Sequence, residues 1–307
     1  MTAIIRALEY HAHMKEIRAQ FTWLTAFYSP LVATLTGTFL ESRGLKFSWS
    51  IATPGRSAVD ALIDGTADVA QTTLSNAFGF LNQGKPSPCL HFGLTNEMDG
   101  FFLTARQADP DFSWKKLEGA ELLILHGGQP MQMFKYACHR QGIDINKIKL
   151  INVPPAEMDK AFRAGTGDYI HQQGPSPQQL VADGAGHIVA TVGPAVGKCG
   201  FSSLAATREW LQTEEAVAFT AAYKEAKAYL INTPAKELAK ATCSFFPTIQ
   251  TDVLVQCLHD YQKLGCWSEE IGITHDNYQS MLDIYEFNGG INERYAYELV
   301  CAKPPGF

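Results

Sequence analysis

Two glycines precede a predicted helix in the stretch HGGQPMQMF, residues 126–134. At a helix start the first backbone N–H groups have no acceptor within the helix and point beyond its end. Such groups bind anions such as a sulfonate, a carboxylate or a phosphate. We therefore predict that Gly127, Gly128 and Gln129 contact a ligand, while a plain strand-to-helix turn remains the alternative. The stretch is not a P-loop, because it lacks the GxxxxGK[ST] pattern.

A second helix start, TTLSNAF at residues 72–78, offers hydroxyl groups and an amide. These groups either cap the helix or bind ligand oxygens, and one side chain can do only part of both. We predict ligand contacts for Thr73, Ser75 and Asn76.

A third polar stretch, HQQGPSP at residues 171–177, follows a short predicted strand. Successive side chains of a strand point to opposite faces, so only one of Gln172 and Gln173 should reach a cleft. Uncharged amides suit a ligand that is neutral or carries a single charge. Gln172, Gln173 and Gly174 complete the predicted contacts on this side.

Aromatic and acidic residues add further candidates. Trp23 and Tyr28, in FTWLTAFYSP, are placed to stack on a flat ligand, with packing in the core as the alternative. Asn96 and Glu97, in LTNEMDGFF, are also predicted contacts, with a solvated turn as the alternative. In a cleft, Glu97 would accept a hydrogen bond from an amine or act as a base.

Signals for catalysis or for a metal are sparse. No GxSxG or spaced Cys/His signature is present. If the chain is an enzyme, the candidate catalytic residues are Glu97, His126 and His171, which are ionisable and lie near the predicted cleft. His11 and His13 form an HxH pair without a third ligand nearby. We therefore predict neither a metal site nor a cofactor.

The elements that must position these residues alternate between strands and helices. Strands are predicted at residues 16–24 and 45–53, and one helix over residues 29–44, which runs from Ser-Pro to Gly. A second strand–helix series restarts near Ala120, and the chain becomes mostly helical from Thr213. Alternation of this kind predicts an α/β fold with mainly parallel sheets in two lobes, followed by a helical C-terminal region.

One phrase occurs in both series. ALIDGTADV begins at Ala61 and AFRAGTGDY at Ala161, each reading as a helix, a glycine stop and a short strand. We interpret them as corresponding units of the two lobes, in which Asp68 and Asp168 brace a turn rather than react. Because ligands of open parallel sheets bind beyond the carboxyl ends of strands, the residues after each copy are the site candidates.

Bulk properties limit the class of protein. The chain has 307 residues and a net charge of −6, without a basic run, which argues against nucleic acid as a partner. No apolar stretch is long enough for membrane insertion. Seven scattered cysteines and the absence of a leader predict a cytoplasmic protein, or a periplasmic one if a leader was trimmed.

Three segments give the chain a family resemblance: residues 55–77, 112–169 and 201–234. They resemble the type II periplasmic-binding-protein fold, in the NMT1/THI5-like branch with the sulfonate, taurine, nitrate and thiamine-pyrimidine binding proteins. The resemblance implies a lobe 1 of residues 1–106 plus 200–307 and a lobe 2 of residues 107–199. It also implies a hinge that closes the lobes over a ligand.

Two departures from the family pattern bear on the ligand. The yeast-type pyrimidine synthases of this branch carry a dense cysteine run where the chain returns to lobe 1, whereas KCGFSS at residues 198–203 has one cysteine. Many members carry an acidic residue after the strand where this chain has Gln172, Gln173 and Gly174. Pyrimidine synthesis and a cationic ligand are therefore disfavoured.

Two functions follow from the resemblance and the residues. The favoured one is a solute-binding protein that closes around a small organic ligand, anionic or aromatic and heterocyclic, for an ABC importer. The alternative is a cytoplasmic enzyme or ligand sensor on the same fold that acts on a small aromatic or heterocyclic compound. Fold alone does not decide between them.

Overall fold

The first of two five-stranded sheets combines strands from distant parts of the chain. The computed structural model describes residues 14–307. The strand order is β2-β1-β3-β10-β4. β1, β2 and β3 run parallel, and β10 is antiparallel to both of its neighbours. The strands are β1 (Lys15–Phe21), β2 (Leu45–Ile51), β3 (Val69–Thr72), β4 (Leu90–Asn96) and β10 (Ser202–Ala206).

The second sheet repeats this plan with the strand order β7-β6-β8-β5-β9. Here β6 is parallel to β7 and β8, and β5 is antiparallel to β8 and β9. Its strands are β5 (Phe101–Ala105), β6 (Glu121–Ile124), β7 (Lys149–Asn152), β8 (Tyr169–Gln173) and β9 (His187–Thr191).

Helices connect the strands and form most of the C-terminal region. The first seven are α1 (Ser29–Thr36), α2 (Ala58–Ile63), α3 (Ser75–Leu81), α4 (Gly128–Arg140), α5 (Pro155–Arg163), α6 (Ser176–Ala182) and α7 (Gly193–Val196). The C-terminal ones are α8 (Glu214–Asn232), α9 (Ala235–Thr242), α10 (Thr251–Leu264), α11 (His275–Phe287) and α12 (Tyr297–Val300). The predicted α/β fold with two sheets and a helical C-terminal region is confirmed.

The chain crosses between the sheets twice, from Asn96 to Phe101 and from Thr191 back to Ser202. The first crossing leads from β4 of the first sheet to β5 of the second, and the second leads from β9 back to β10. The exact lobe limits at residues 106 and 199 stay a prediction.

An aromatic cluster packs where the two crossings meet. The rings of Phe27 and Phe201 lie 5.3 Å apart, and Tyr261 on α10 lies 5.2 Å from Phe27 and 5.4 Å from Phe102. These side chains are fully buried or nearly so and belong to one core cluster that includes residues of both sheets. Burial of such large apolar surfaces stabilises the junction between the sheets.

The two copies of the repeated phrase form matching units. In each, a helix ends near a glycine with positive φ, 71° at Gly65 and 103° at Gly165. The Asp68 carboxylate accepts a hydrogen bond from the Arg18 N–H of β1 at 2.8 Å. The Asp168 carboxylate accepts one from the Glu121 N–H of β6, also at 2.8 Å. Each aspartate therefore braces the neighbouring strand, β1 or β6, rather than the turn that the sequence suggested.

The single helix predicted over residues 29–44 is wrong. α1 ends at Thr36, and a separate short 3-10 helix covers Glu41–Arg43. Gly37 adopts an extended backbone, with φ −85° and ψ 174°. The Phe39 ring occupies the space that a side chain at position 37 would take, so the chain turns where the sequence suggested continuation.

Candidate ligand cleft between the two sheets

Gln173, at the end of β8, links the second sheet to the start of α1. The Thr25 hydroxyl donates to Gln173 Oε1 over 3.3 Å, and Gln173 Nε2 donates to the Tyr28 hydroxyl over 3.4 Å. Both hydrogen bonds join residues that are more than a hundred positions apart. Burial raises the pKa of Tyr28 to about 12, so its hydroxyl stays protonated at neutral pH.

The start of α4 presents free backbone donors. Gly127 and Gly128 are exposed and have φ values of 87° and 65°, and no side chain caps the helix. Gln129 is buried. Its Nε2 donates to the Phe201 carbonyl oxygen, and its Oε1 accepts from the Tyr285 hydroxyl over 3.4 Å. Gln129 therefore ties α4 to the returning crossing and to α11.

The polar residues at the start of α3 approach the same tyrosine. Ser75 shares a hydrogen bond of 2.7 Å with Thr73. Burial raises the pKa of Tyr285 well above its usual value, and the Ser75 hydroxyl partly offsets this increase. The Asn76 amide donates to the Thr72 hydroxyl. Tyr285 was missed by sequence reasoning, because it lies inside a C-terminal helix with no strand end or glycine turn beside it.

Gln172 and Gln173 differ as adjacent strand residues should. Only Gln173 reaches the segment before α1, whereas Gln172 lies in register with Phe102 and is buried, with its Oε1 unpartnered among residues 14–307. The Gly174 N–H donates to the Tyr261 hydroxyl over 2.7 Å. A side chain at position 174 would collide with Cys257, so Gly174 is required for close packing.

The remaining predicted contacts divide between surface and interior. Trp23 is 38% exposed. Asn96 is fully buried, and its amide donates to the Phe27 carbonyl over 2.8 Å. Glu97 is buried and pairs with Lys198 at 2.6 Å, which joins the two crossings between the sheets. Ligand contact by these three residues stays a prediction.

The catalytic candidates lie in different environments. His126 is exposed, whereas His171 is 1% exposed and stacks on Phe101 with a centroid distance of 4.3 Å. Burial lowers the pKa of His171 to about 3, so its imidazole is neutral at pH 7. In the described part of the chain, no hydrogen bond or ion pair links Glu97, His126 and His171.

Residues 14–307 contain neither a metal-binding cluster nor a membrane-spanning helix. No group of three His, Cys, Asp or Glu side chains is placed to hold a metal ion, and the HxH pair of His11 and His13 lies outside this range. No helix in the same range is sufficiently long and apolar to cross a membrane.

Comparison with known proteins gives a family match over most of the chain. The model of a family described as "NMT1-like family" matches residues 14–244. A curated relative from Bacillus subtilis (strain 168), named "Putative binding protein YtlA", is 27% identical over 282 residues, which cover 90% of this chain and 84% of the relative.

Solved structures share the fold. The periplasmic aliphatic sulphonate binding protein SsuA from Escherichia coli has a TM-score of 0.73 and 17% identity, over 94% of this chain and 92% of its own. The ligand-binding component of an ABC-type import system from Staphylococcus aureus has a TM-score of 0.73 and 16% identity, over 94% and 97%. At this identity the likeness establishes the architecture alone.

Proposed function

The chain belongs to the NMT1-like family, and from this premise we propose that it is a solute-binding protein that closes around a small organic anion. The ligand would lie between the two sheets, at the carboxyl ends of their parallel strands. The names of its relatives support this class, since one is a binding protein and another binds aliphatic sulphonates.

The observation that carries the proposal is the pair of hydrogen bonds through Gln173. This side chain belongs to the second sheet, but both of its partners, Thr25 and Tyr28, precede or begin α1 of the first lobe. A polar bridge at this place joins the two lobes through hydrogen bonds of 3.3 and 3.4 Å, which a ligand would join or replace. Closure of two lobes over a ligand is a common mode of hinge motion.

The charge of the cleft favours an anion. The polar side chains that we assign to this cleft are uncharged: Thr25, Tyr28, Thr73, Ser75, Gln129, Gln173 and Tyr285. The start of α4 at Gly128, which no side chain caps, supplies a positive pole. Neutral donors and one helix start suit a single negative charge better than a phosphate dianion. Trp23 and Tyr28 would contact an apolar or aromatic part of the ligand.

An ABC permease is the partner that we propose for the closed form. One structural relative is the ligand-binding component of such an import system. The permease would read the closed arrangement of the lobes, so the ligand would control docking through the population of that arrangement.

Thermal unfolding with a panel of probes tests the ligand class. We expect short alkanesulfonates, carboxylates or nitrate to raise Tm with concentration, because a ligand that binds only the folded state stabilises it. Matched cationic amines should not. Failure of every anionic probe, together with no anion found by mass spectrometry in the purified protein, would contradict the proposal.

A matched pair of variants tests the place of binding. Gln173→Leu removes both polar contacts to the first lobe and should weaken binding about tenfold. Gln172→Leu, on the opposite face of β8, should leave affinity unchanged. Equal effects would place the ligand elsewhere. Recovery of the ligand unchanged after long incubation supports a binder, whereas conversion that Glu97→Gln or His171→Ala abolishes would favour the enzyme alternative.

A further inference from the structure

β2 is an edge strand whose outer side has no strand beside it in residues 14–307. It is the longest unprotected edge of the two sheets, with seven residues. The opposite edge of the same sheet, β4, is covered, because its His91 carbonyl accepts from Ala302 and its Leu94 N–H donates to Ile271. β7 is four residues long, and β9 is five residues long and lies in a groove beside α10.

The backbone of β2 shows which groups face outward. The Ala52 N–H donates to the Phe21 carbonyl and the Gly44 carbonyl accepts from Lys15, so even-numbered positions bond to β1. Because the N–H and C=O groups of successive strand residues point to opposite sides, the odd-numbered positions face the open edge. The free donors and acceptors therefore belong to Phe47, Trp49 and Ile51.

The same residues also carry exposed apolar side chains. Phe47, Trp49 and Ile51 are 38%, 38% and 40% exposed, and the Trp49 ring stacks on Phe245 at 4.7 Å. The pairing of β2 with β1 is unbroken from Leu45 to Ile51, so no bulge turns the edge away. The strand has no proline and a single charge, Lys46. Natural edges usually carry such protection, and β2 lacks most of it.

We propose that β2 pairs with β2 of a second copy of this chain, antiparallel, about a two-fold axis at Ser48. This register sets Phe47 opposite the partner copy's Trp49, with four backbone hydrogen bonds from the outward-facing groups of these residues. Ser48 faces its own symmetry mate in a pair without backbone hydrogen bonds. Two five-stranded sheets then join into one of ten strands.

Self-complementarity selects a second copy as the occupant. Under the two-fold operation the apolar set Leu45, Phe47, Trp49 and Ile51 coincides with itself on one face, and the polar set Lys46, Ser48 and Ser50 does so on the other. Lys46 falls opposite Ser50, so the only charge does not face its own copy. Aromatic pairs placed directly across two strands stabilise a sheet.

Molar mass as a function of concentration tests the pairing. We expect sedimentation or light scattering to show the mass rising from 33.8 kDa toward twice that value. Phe47→Pro should abolish this rise, because it removes an outward N–H without breaking a hydrogen bond to β1. Phe47→Ala keeps that N–H while removing the ring, so it should weaken the dimer less. A wild-type chain that stays monomeric, or a Phe47→Pro chain that dimerises as strongly, would overturn the proposal.

Disulfide trapping tests the register. Cys243 is the exposed native thiol, so the variants are made with Cys243→Ser. Ser48→Cys places two thiols across the axis with Cβ atoms about 4.5 Å apart, near disulfide geometry. Ser50→Cys leaves its two thiols about 13 Å apart, four residues along the strand. Mild oxidation should give a covalent dimer with Ser48→Cys only. Equal trapping of both variants, or of neither, would overturn this register.

Discussion

The two sheets share a plan and differ in the chemistry placed on it. β1, β2 and β3 of the first sheet correspond in order and direction to β6, β7 and β8 of the second. Asp68 and Asp168 occupy the same place and brace the corresponding strands β1 and β6 at the same distance. A common backbone plan therefore requires the same few residues twice, while the neighbouring residues are free to differ.

The differences begin at the bracing aspartates. Asp68 also receives two hydrogen bonds from the Arg18 guanidinium, at 3.0 and 2.6 Å, whereas Asp168 holds only a backbone N–H among residues 14–307. The residue before each aspartate is Ala67 in one sheet and Gly167, with φ 74°, in the other. The first unit thus holds its aspartate with an ion pair. In the second unit glycine permits the conformation, and the Arg106 guanidinium donates to the Gly167 and Thr166 carbonyls instead.

The largest expected change in stability comes from a substitution at Gly167, which tests this conformational difference. Gly167→Ala should destabilise the protein by about 3 kcal/mol, because φ is left-handed and the new methyl group would meet Leu123. Ala67→Gly, the reverse change in the first sheet, should cost about 1 kcal/mol. Urea denaturation measures both.

Gly119→Ala serves as the control for strain without collision. Its φ is 90° and no atom lies near the position of a new methyl group. It should cost about 1–2 kcal/mol. If Gly167→Ala lowers the free energy of unfolding no more than this control does, the Leu123 side chain moves aside and its contact with the new methyl group costs nothing.

The next largest change in stability is expected when the two aspartates are replaced. Asp68→Ala should cost about 2 kcal/mol, since it removes a backbone cap and two charge-assisted bonds of a pair that is partly exposed. Asp168→Ala loses the backbone cap alone and should cost about 1 kcal/mol. Chemical denaturation at pH 7 compares them, and equal losses would show that the Arg18 pair adds nothing.

Each sheet also buries one histidine, and through these two side chains the free energy of unfolding depends on pH. Burial lowers the pKa of both His91 and His171 to about 3, against 6.5 when unfolded. Since the unfolded chain binds more protons between these values, each histidine lowers stability as pH falls below 6.5, by up to about 1.4 kcal/mol per pH unit. The loss of stability at low pH that each histidine causes should be absent from the variant in which that histidine is replaced.

The two histidine variants should differ at pH 7. His171→Phe keeps the stack on Phe101 and removes two nitrogens that have no partner in the described chain, so stability should hold or rise by up to about 1 kcal/mol. His91→Phe loses a 2.7 Å bond to Ser203 and should cost about 1 kcal/mol. Burial raises the pKa of Asp99 to about 7, so Asp99 increases stability as pH falls from about 7 to 4, opposite to the histidines. This contribution is the same in the wild type and the variants, and it cancels when their free energies of unfolding are subtracted. An unchanged pH slope would contradict the assignment.

The smallest effect is the response to salt. The Arg18 side chain is 43% exposed, so ions screen its pair with Asp68. Raising the salt concentration should shrink the cost of Asp68→Ala by about 0.5 kcal/mol and leave that of Asp168→Ala unchanged. Parallel urea titrations at low and high salt measure this, and a salt-sensitive Asp168→Ala would remove the contrast.

Much of the fold follows from local signals. Glycine stops predicted that α2 and α5 end near Gly65 and Gly165, and the pair of glycines predicted the start of α4, because these elements agree with their local propensities. The helix over residues 29–44 failed since Gly37 and Phe39 act together, and a contact between ring and backbone is invisible to residue spacing.

The proposed cleft combines residues that the sequence predicts with one that it does not. Strand alternation predicts that one of Gln172 and Gln173 faces it, and the rule of helix starts predicts the glycines before α4. Neither rule predicts Tyr285, because its approach to Ser75 and Gln129 depends on how a C-terminal helix packs across more than 150 residues of sequence.

The sequence by itself determined the two-lobed α/β plan, the repeated helix–glycine–aspartate unit and the polar residues at the strand ends, since each follows from local propensity and spacing along the chain. Only the tertiary structure decided which of Gln172 and Gln173 meets the segment before α1, that Asn96 and Glu97 serve the crossings, and that β2 keeps an open edge. Those outcomes depend on which distant segments come to lie side by side, and close packing of a whole core, rather than spacing along the chain, fixes that choice.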